Sequence, residues 1–291
     1  MPGLQSQVGS EVPSLEQVVR RIDDISTLPQ VALRVMEVAN DSDSGASDLK
    51  DVMECDAALS ARILRCVNSS AYSTRVKITN LQQAIAYLGL KQIRNLALTA
   101  SVSDLFKQEE KIGLYSRTGL WRHLVSVGIC SRMIAMRRSI NKFEDAFLAG
   151  LLHDIGIVLE DQHVHEPFMT VIQSLDKDQT LAETERSRLG FDHTSLGAKV
   201  AATWGFPDVA RAAIRYHHVS KNYRGEDLDI VRCVEVANLI CTLKGIPSVG
   251  MKLVRFSAEA VSGLALTRED IAVLAEDLDR ELAQNASLFQ M

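Results

Sequence analysis

Aromatic residues make up only 5% of the 291 residues, and no run of about 18 apolar residues, the length that crosses a bilayer, occurs anywhere. Met1 to Pro13 has neither the basic stretch nor the apolar core of a secretion signal. A cytoplasmic protein with no membrane association is therefore expected. The five cysteines, Cys55, Cys66, Cys130, Cys233 and Cys241, are odd in number and include no C-x-x-C spacing. They read as reduced thiols rather than as disulfides or a zinc knuckle. Excess positive charge is missing too: 32 basic against 37 acidic residues leave −5, which offers nucleic acid no global attraction. Strand-type alternation and internal repeats are also absent, so helical periodicity must organise the 46% of hydrophobic residues into a core.

The periodicity predicts an all-α protein. After a flexible tail over residues 1–13, Ser14 and Gln17 have the form of a capping box, and a helix runs to about Asp24. Pro29 opens a second helix, which the polar run 40–45 breaks, and Ser47 to Glu54 forms a third. Asp56 begins the next, Thr79 or Asn80 caps Leu81 to Leu88, Gly89 ends that helix, and Leu90 to Phe106 forms a longer one. The charged stretch Lys107 to Lys111 marks a joint. Beyond it lie Gly119 to Arg137, Asn141 to Ile157 as one helix, a polar break around Asp161 to His165, and a helix pair hinged at Gly205-Phe206-Pro207. The expected organisation is an N-terminal helical part over 14–106, a second part over 115–219, and a C-terminal helical extension over 220–291.

Within Phe143 to Ile157, Phe147, Leu148, Leu151, Leu152 and Ile155 recur at helical spacing, so His153 and Asp154 fall in buried surroundings. A carboxylate buried without a partner costs several kcal/mol, roughly, so Asp154 must find a cation, donors or a metal. A His-Asp pair at a helix end, which Gly156 helps to terminate, can present a nitrogen and an oxygen to a divalent ion. The alternative for the dipeptide alone is satisfaction by backbone and neighbours. His123, His193, His217 and His218 join it in predicted helices, and together the set suits iron, manganese, zinc or nickel. His217 and His218, as neighbours on a helix, point about 100° apart, which favours one ligand and one supporting group. His163 and His165 read as solvated loop residues. A basic cluster, Arg62, Arg65, Arg75, Lys77, Lys91 and Arg94, reads as solvated helix faces rather than as a nucleic-acid surface.

The ordered set His123, His153-Asp154, His193 and His217-His218 resembles the HD superfamily of metal-dependent phosphohydrolases, particularly the branch that cleaves cyclic di-GMP. Where that branch has a lysine after the His-Asp-Ile-Gly run this chain has Ile157, and where it has a glutamate after the paired histidines it has Val219. Its later metal-binding aspartate falls at Asn238, with Glu235 one turn earlier as a substitute, and Gly119 stands where a bridging glutamate would be wanted. Asp56 to Tyr72, Ile78 to Gly89, Leu151 to Gly156, Gly197-Ala198, Trp204 to Pro207 and His217-His218 resemble the HDOD domain, the HD-related output domain of bacterial signalling proteins. The resemblance covers about Ile22 to Asn238. It implies an HD-like helical bundle with an N-terminal helical subdomain, an HDOD domain over 14–219, and a regulatory role exercised through protein signalling partners or a nucleotide ligand. Metal-dependent hydrolysis of a nucleotide or cyclic dinucleotide is the alternative. The implied metal residues are His123, His153, Asp154, His193, His217, His218 and Asn238.

Overall fold

The computed structural model describes residues 12–25, 30–41, 43–69, 72, 76–175, 179–250, 255 and 257–291. Most of the expected tail, Pro29 and Arg75 lie outside the described residues. The architecture is all-α. An N-terminal group comprises α1 (Leu15–Ile25), α2 (Gln30–Asn40), α3 (Ala46–Glu54), α4 (Ala57–Val67), α5 (Leu81–Leu88) and α6 (Leu90–Val102), which ends in a 3-10 turn, Ser103–Phe106. A two-stranded hairpin, β1 (Lys111–Ile112) and β2 (Tyr115–Ser116), makes the joint. The second group is α7 (Arg117–Arg137), α8 (Phe143–Leu152), α9 (Ile155–His163), α10 (His165–Gln173), α11 (Leu181–Leu189), α12 (His193–Thr203) and α13 (Asp208–Tyr216). The chain finishes with α14 (Leu228–Leu243), α15 (Ala258–Gly263), α16 (Arg268–Gln284) and a 3-10 segment, Ala286–Gln290.

Local chemistry sets many of these boundaries. The Ser14 hydroxyl and the Gln17 amide reciprocate across the first turn of α1. Asp56 accepts from Leu59 N, Asn80 from Gln83 N, and Thr267 exchanges a full capping box with Asp270, so each opens its helix as the residue types dictate. Gly190, at φ 82°, closes α11 in the left-handed conformation.

The core is centred on α8, which packs against α6, α7, α13 and α14. The α7–α8 crossing is tight because glycines meet there: a Cβ on Gly150 would lie 2.8 Å from Val127 O and 2.9 Å from Gly128 Cα. Leu148, Leu151 and Leu152 are fully buried on α8, each contributing about 1.5–3 kcal/mol on leaving water.

Two expectations need correction. The segment Asn141 to Ile157 is two helices rather than one, broken at Asp154, where φ −106° and ψ 18° leave the helical region. The cause lies next door: the His153 ring donates Nδ1–H to Gly150 O at 2.7 Å, taking a carbonyl that a continuing helix would use. Gly156 accordingly does not end a helix; it sits in the first turn of α9. The polar break expected around 161–165 is a single residue, Val164, at φ −135° and ψ 43°, between α9 ending at His163 and α10 beginning at His165. Asp161 there is 1% exposed and accepts from the Tyr115 hydroxyl at 2.7 Å and from Arg117 Nε at 2.5 Å. His165 completes that cluster at 2.9 Å, and His163 is half-buried, with burial lowering its pKa, so neither is a solvated loop residue.

The basic cluster does not gather into one free face. Arg62 binds Ala100 O and Asp104, while Lys91 and buried Arg94 share Asp145.

Candidate metal centre

Asp154 occupies the turn between α8 and α9 and is 1% exposed. Its Oδ2 faces His153 Nε2 at 3.2 Å and His123 Nε2, from α7, at 3.7 Å. Its Oδ1 faces His217 Nε2 at 3.0 Å and His193 Nε2, at the start of α12, at 3.4 Å. His218 joins the second set, with its Nε2 3.0 Å from that of His217 and 3.1 Å from that of His193. Two groups with metal-ligand spacing thus share one carboxylate: His123, His153 and Asp154, and Asp154, His193, His217 and His218.

The tautomers follow from the outer partners. His123 Nδ1 lies 2.7 Å from Ile246 O, His153 Nδ1 2.7 Å from Gly150 O, and His217 Nδ1 3.1 Å from both Ala213 O and Ile214 O. A carbonyl only accepts, so each Nδ1 carries the proton and each Nε2 presents a lone pair inward. The 3.3 Å approach of His123 Nε2 to His153 Nε2 is therefore acceptor against acceptor, beside a carboxylate oxygen. Such a cluster repels itself unless a cation sits among its atoms. The donor set, imidazole nitrogen with one shared carboxylate, fits divalent transition metals.

His193 differs because its outer partner is an acid. Its Nδ1 and backbone N both lie against Glu185 Oε2, at 2.6 and 2.9 Å. Burial alone would depress its pKa, but Glu185 outweighs burial and raises it to about 9, so without metal this ring carries the compensating charge. His123 goes the other way, to about 4, through burial and then the neighbouring His153. Burial also lowers His217 and His218, and burial would raise Asp154, but the imidazoles of His153 and His217, when protonated, hold its carboxyl well below the usual range. Behind Glu185 stands Glu160, fully buried, and burial followed by the Glu185 charge holds its carboxyl protonated well above the usual range.

The paired histidines correct another expectation. α13 ends at Tyr216, so His217 and His218 lie at and beyond the helix end rather than on it, and both Nε2 atoms turn to one point. The His217 ring, bonded to the carbonyls of Ala213 and Ile214, terminates the helix.

Asn238, on α14, is buried, and its Oδ1 accepts from the Thr242 hydroxyl at 3.4 Å. Glu235 accepts from Ser220 N at 3.2 Å and, with His217 and His218, lines a cavity of about 370 Å³. Arg186, Arg215 and Arg255 stand around that mouth. Burial raises the Glu235 carboxyl. Sequence reasoning passed over Glu185, Glu160 and the three arginines. The available signal for Glu185 was an acid inside an otherwise ordinary amphipathic helix, eight residues before His193.

Among solved structures, an HDOD domain protein with unknown function from Geobacter sulfurreducens is 26% identical and superposes with a TM-score of 0.74 over 94% of this chain and 96% of its own. A candidate signal transduction protein from Marinobacter aquaeolei shares the fold, with a TM-score of 0.75 at 23% identity over 95% of this chain and 64% of its own. So does a candidate phosphohydrolase from Shewanella amazonensis, with a TM-score of 0.71 at 22% identity over 94% and 97%. An uncharacterized protein of Treponema pallidum is 25% identical over 226 residues, 76% of this chain, which spans only 43% of that relative's length. The HDOD domain family model matches residues 25–220, and the chain belongs to that family.

Proposed function

We propose that this chain is a regulatory signalling module whose HD-type centre holds divalent metal and, at the mouth of that centre, an anionic phosphoryl-bearing ligand, and that it passes occupancy on to partner proteins without consuming the ligand. The observation that carries this reading is the convergence of imidazole Nε2 lone pairs on the shared carboxylate of Asp154. His123 and His153 would hold one ion, and His193, His217 and His218 the other, with Asp154 common to both. Metal bound there would polarise a phosphoryl oxygen and neutralise its charge. One carboxylate against two divalent ions leaves an excess of positive charge at the centre, whereas Arg186 and Arg215 at the mouth are already paired with Asp192 and Arg255 with Glu183. That excess favours capture and slow release of an anion. Ile157, buried, and Val219 replace the lysine and glutamate of the cleaving relatives, which removes charged groups that would manage protons during turnover.

Elemental analysis and a hydrolysis assay test the reading together. Purified protein should carry metal that His153→Ala loses, and the metal-replete form should not turn over cyclic di-GMP or p-nitrophenyl phosphate. Many turnovers that disappear in Asp154→Ala would overturn it. One observation favours the second reading, metal-dependent phosphohydrolysis: Glu235, with its raised pKa, sits in the mouth where a general acid would be wanted. Under that reading Glu235→Gln abolishes turnover while metal content stays unchanged.

A further inference from the structure

Three arginines line the cavity of about 370 Å³ that His217 and His218 share, and they are not equally engaged. Arg186 Nη1 lies directly against Asp192 Oδ2, and Arg255 Nη2 is 3.0 Å from Glu183 Oε2. Arg215 meets its acid only at long range. Its Nη1 stands 3.8 Å from Asp192 Oδ1, beyond hydrogen-bond length. That oxygen already accepts from the Thr194 hydroxyl at 2.8 Å, the Ser195 hydroxyl at 2.6 Å and Ser195 N at 2.8 Å. Arg215 Nη1 donates to the two hydroxyls instead, at 2.8 Å to Thr194 Oγ1 and 3.2 Å to Ser195 Oγ.

These neutral partners orient the guanidinium without taking up its charge. Nε and Nη2 have no hydrogen-bond partner among the described residues, and the side chain is 47% exposed. Arg215 lies in the last turn of α13, two residues before His217, so one helix end fixes both this guanidinium and two histidines of the metal centre. The Nε–Nη2 edge of an arginine is a fork of parallel N–H groups that matches two oxygens of one phosphoryl group. A further oxygen must remain for the ion that the histidines hold. A ligand that meets both at once therefore needs three terminal oxygens on one phosphorus. A phosphomonoester has three; a phosphodiester has two.

We infer that Arg215 is the guanidinium that receives the ligand of this centre, and that the ligand is a phosphomonoester whose terminal group lies between the Nε–Nη2 edge and the metal. The inference rests on the metal-holding reading above and narrows its ligand to one chemical class. Phosphodiesters, cyclic dinucleotides included, bind weakly.

Calorimetric titration of the metal-replete full chain with phenylphosphonate and with its monomethyl ester tests this. The two probes carry three and two terminal oxygens on the same apolar body, and phenylphosphonate has no ester bond to hydrolyse. Phenylphosphonate should bind at least about tenfold more tightly, a preference worth about 1.4 kcal/mol. Arg215→Lys keeps the charge but removes the fork, so it should weaken phenylphosphonate by about tenfold and the methyl ester much less. Elemental analysis of each sample separates the possible failures. Wild type without metal overturns the reading on which the inference rests. Wild type that holds metal but binds neither probe or both equally, or an undiminished preference in metal-replete Arg215→Lys, overturns the inference alone. Should Arg215→Lys not fold, Arg215→Gln takes its place with the same expectation.

Discussion

Gly156→Ala tests the architecture of the metal centre at its tightest point. α9 and α12 cross where Gly156 meets the His193 peptide: an added Cβ would lie 2.0 Å from His193 O, 2.7 Å from its carbonyl carbon and 2.9 Å from its Cα. Ordinary contact begins at 3.4 Å, so the two helices must part by about 3.4 − 2.0 = 1.4 Å at that atom. The obstacle is backbone on both sides and cannot swing away. Overpacking of this kind costs about 1–3 kcal/mol. For a chain of this size each kcal/mol moves Tm by about 2–4 °C, so a fall of about 2–12 °C is expected. The same displacement carries His193 away from Asp154, now 3.4 Å distant, and weakens metal binding by about 10–100-fold. Gly197→Ala loads the same crossing less severely, because its Cβ meets the movable Ile214 Cγ2 at 2.9 Å and the Gly156 backbone N at 3.2 Å, so a smaller fall is expected. Differential scanning calorimetry with and without chelator, followed by competition titration for metal, separates the effects. A Gly156→Ala protein with wild-type Tm and metal affinity would refute the close approach of these helices and with it the placement of His193.

Two further expectations concern buried polar groups. Glu160 has a folded pKa well above its unfolded value, so the folded protein keeps a proton that the unfolded chain releases, and stability falls as pH rises from about 4.3 toward the folded pKa. Glu160→Gln removes that penalty: in urea denaturation its stability relative to wild type should climb by up to about 1.4 kcal/mol per pH unit over that window and vanish below it, and parallel pH profiles would sink the idea. Asn238→Asp should tighten metal binding by adding a charged oxygen, as read by competition titration, whereas unchanged affinity would place residue 238 outside the donor set.

Much of the fold was legible because its signals are local. Asp56, Asn80 and Ser14 cap helices whose first turns they share, so the spacing alone identifies the boundary. The boundaries that were missed have distant or side-chain causes. Nothing in Phe143 to Ile157 announces a break, since the apolar period continues through it. The break arises from the His153 ring capturing Gly150 O and from the backbone of α12 lying against Gly156. For the same reason Gly156 resembled a terminator: a glycine required by a neighbouring helix and one required by a left-handed turn look identical in sequence. His217 is comparable, ending α13 with its own ring rather than with any recognised stop residue.

The centre itself was legible only in its innermost layer. Histidines are rare enough that their order points to a site, but the acids behind them are not: Glu185 and Glu160 are two among many glutamates in amphipathic helices. What distinguishes them is burial, and burial is a property of the assembled fold. Glu185 sets the His193 tautomer, so its charge decides how that ring meets Asp154. Glu160 then has to be neutral, because two carboxylates in one dry pocket cannot both ionise. The electrostatics of the metal centre therefore extend from Asp154 through His193 and Glu185 to Glu160, with negative charge beside the histidine and a neutral acid behind it. This outer layer gives His193 a carboxylate where His123, His153 and His217 have carbonyls, and makes it the ring whose proton must leave for metal to enter.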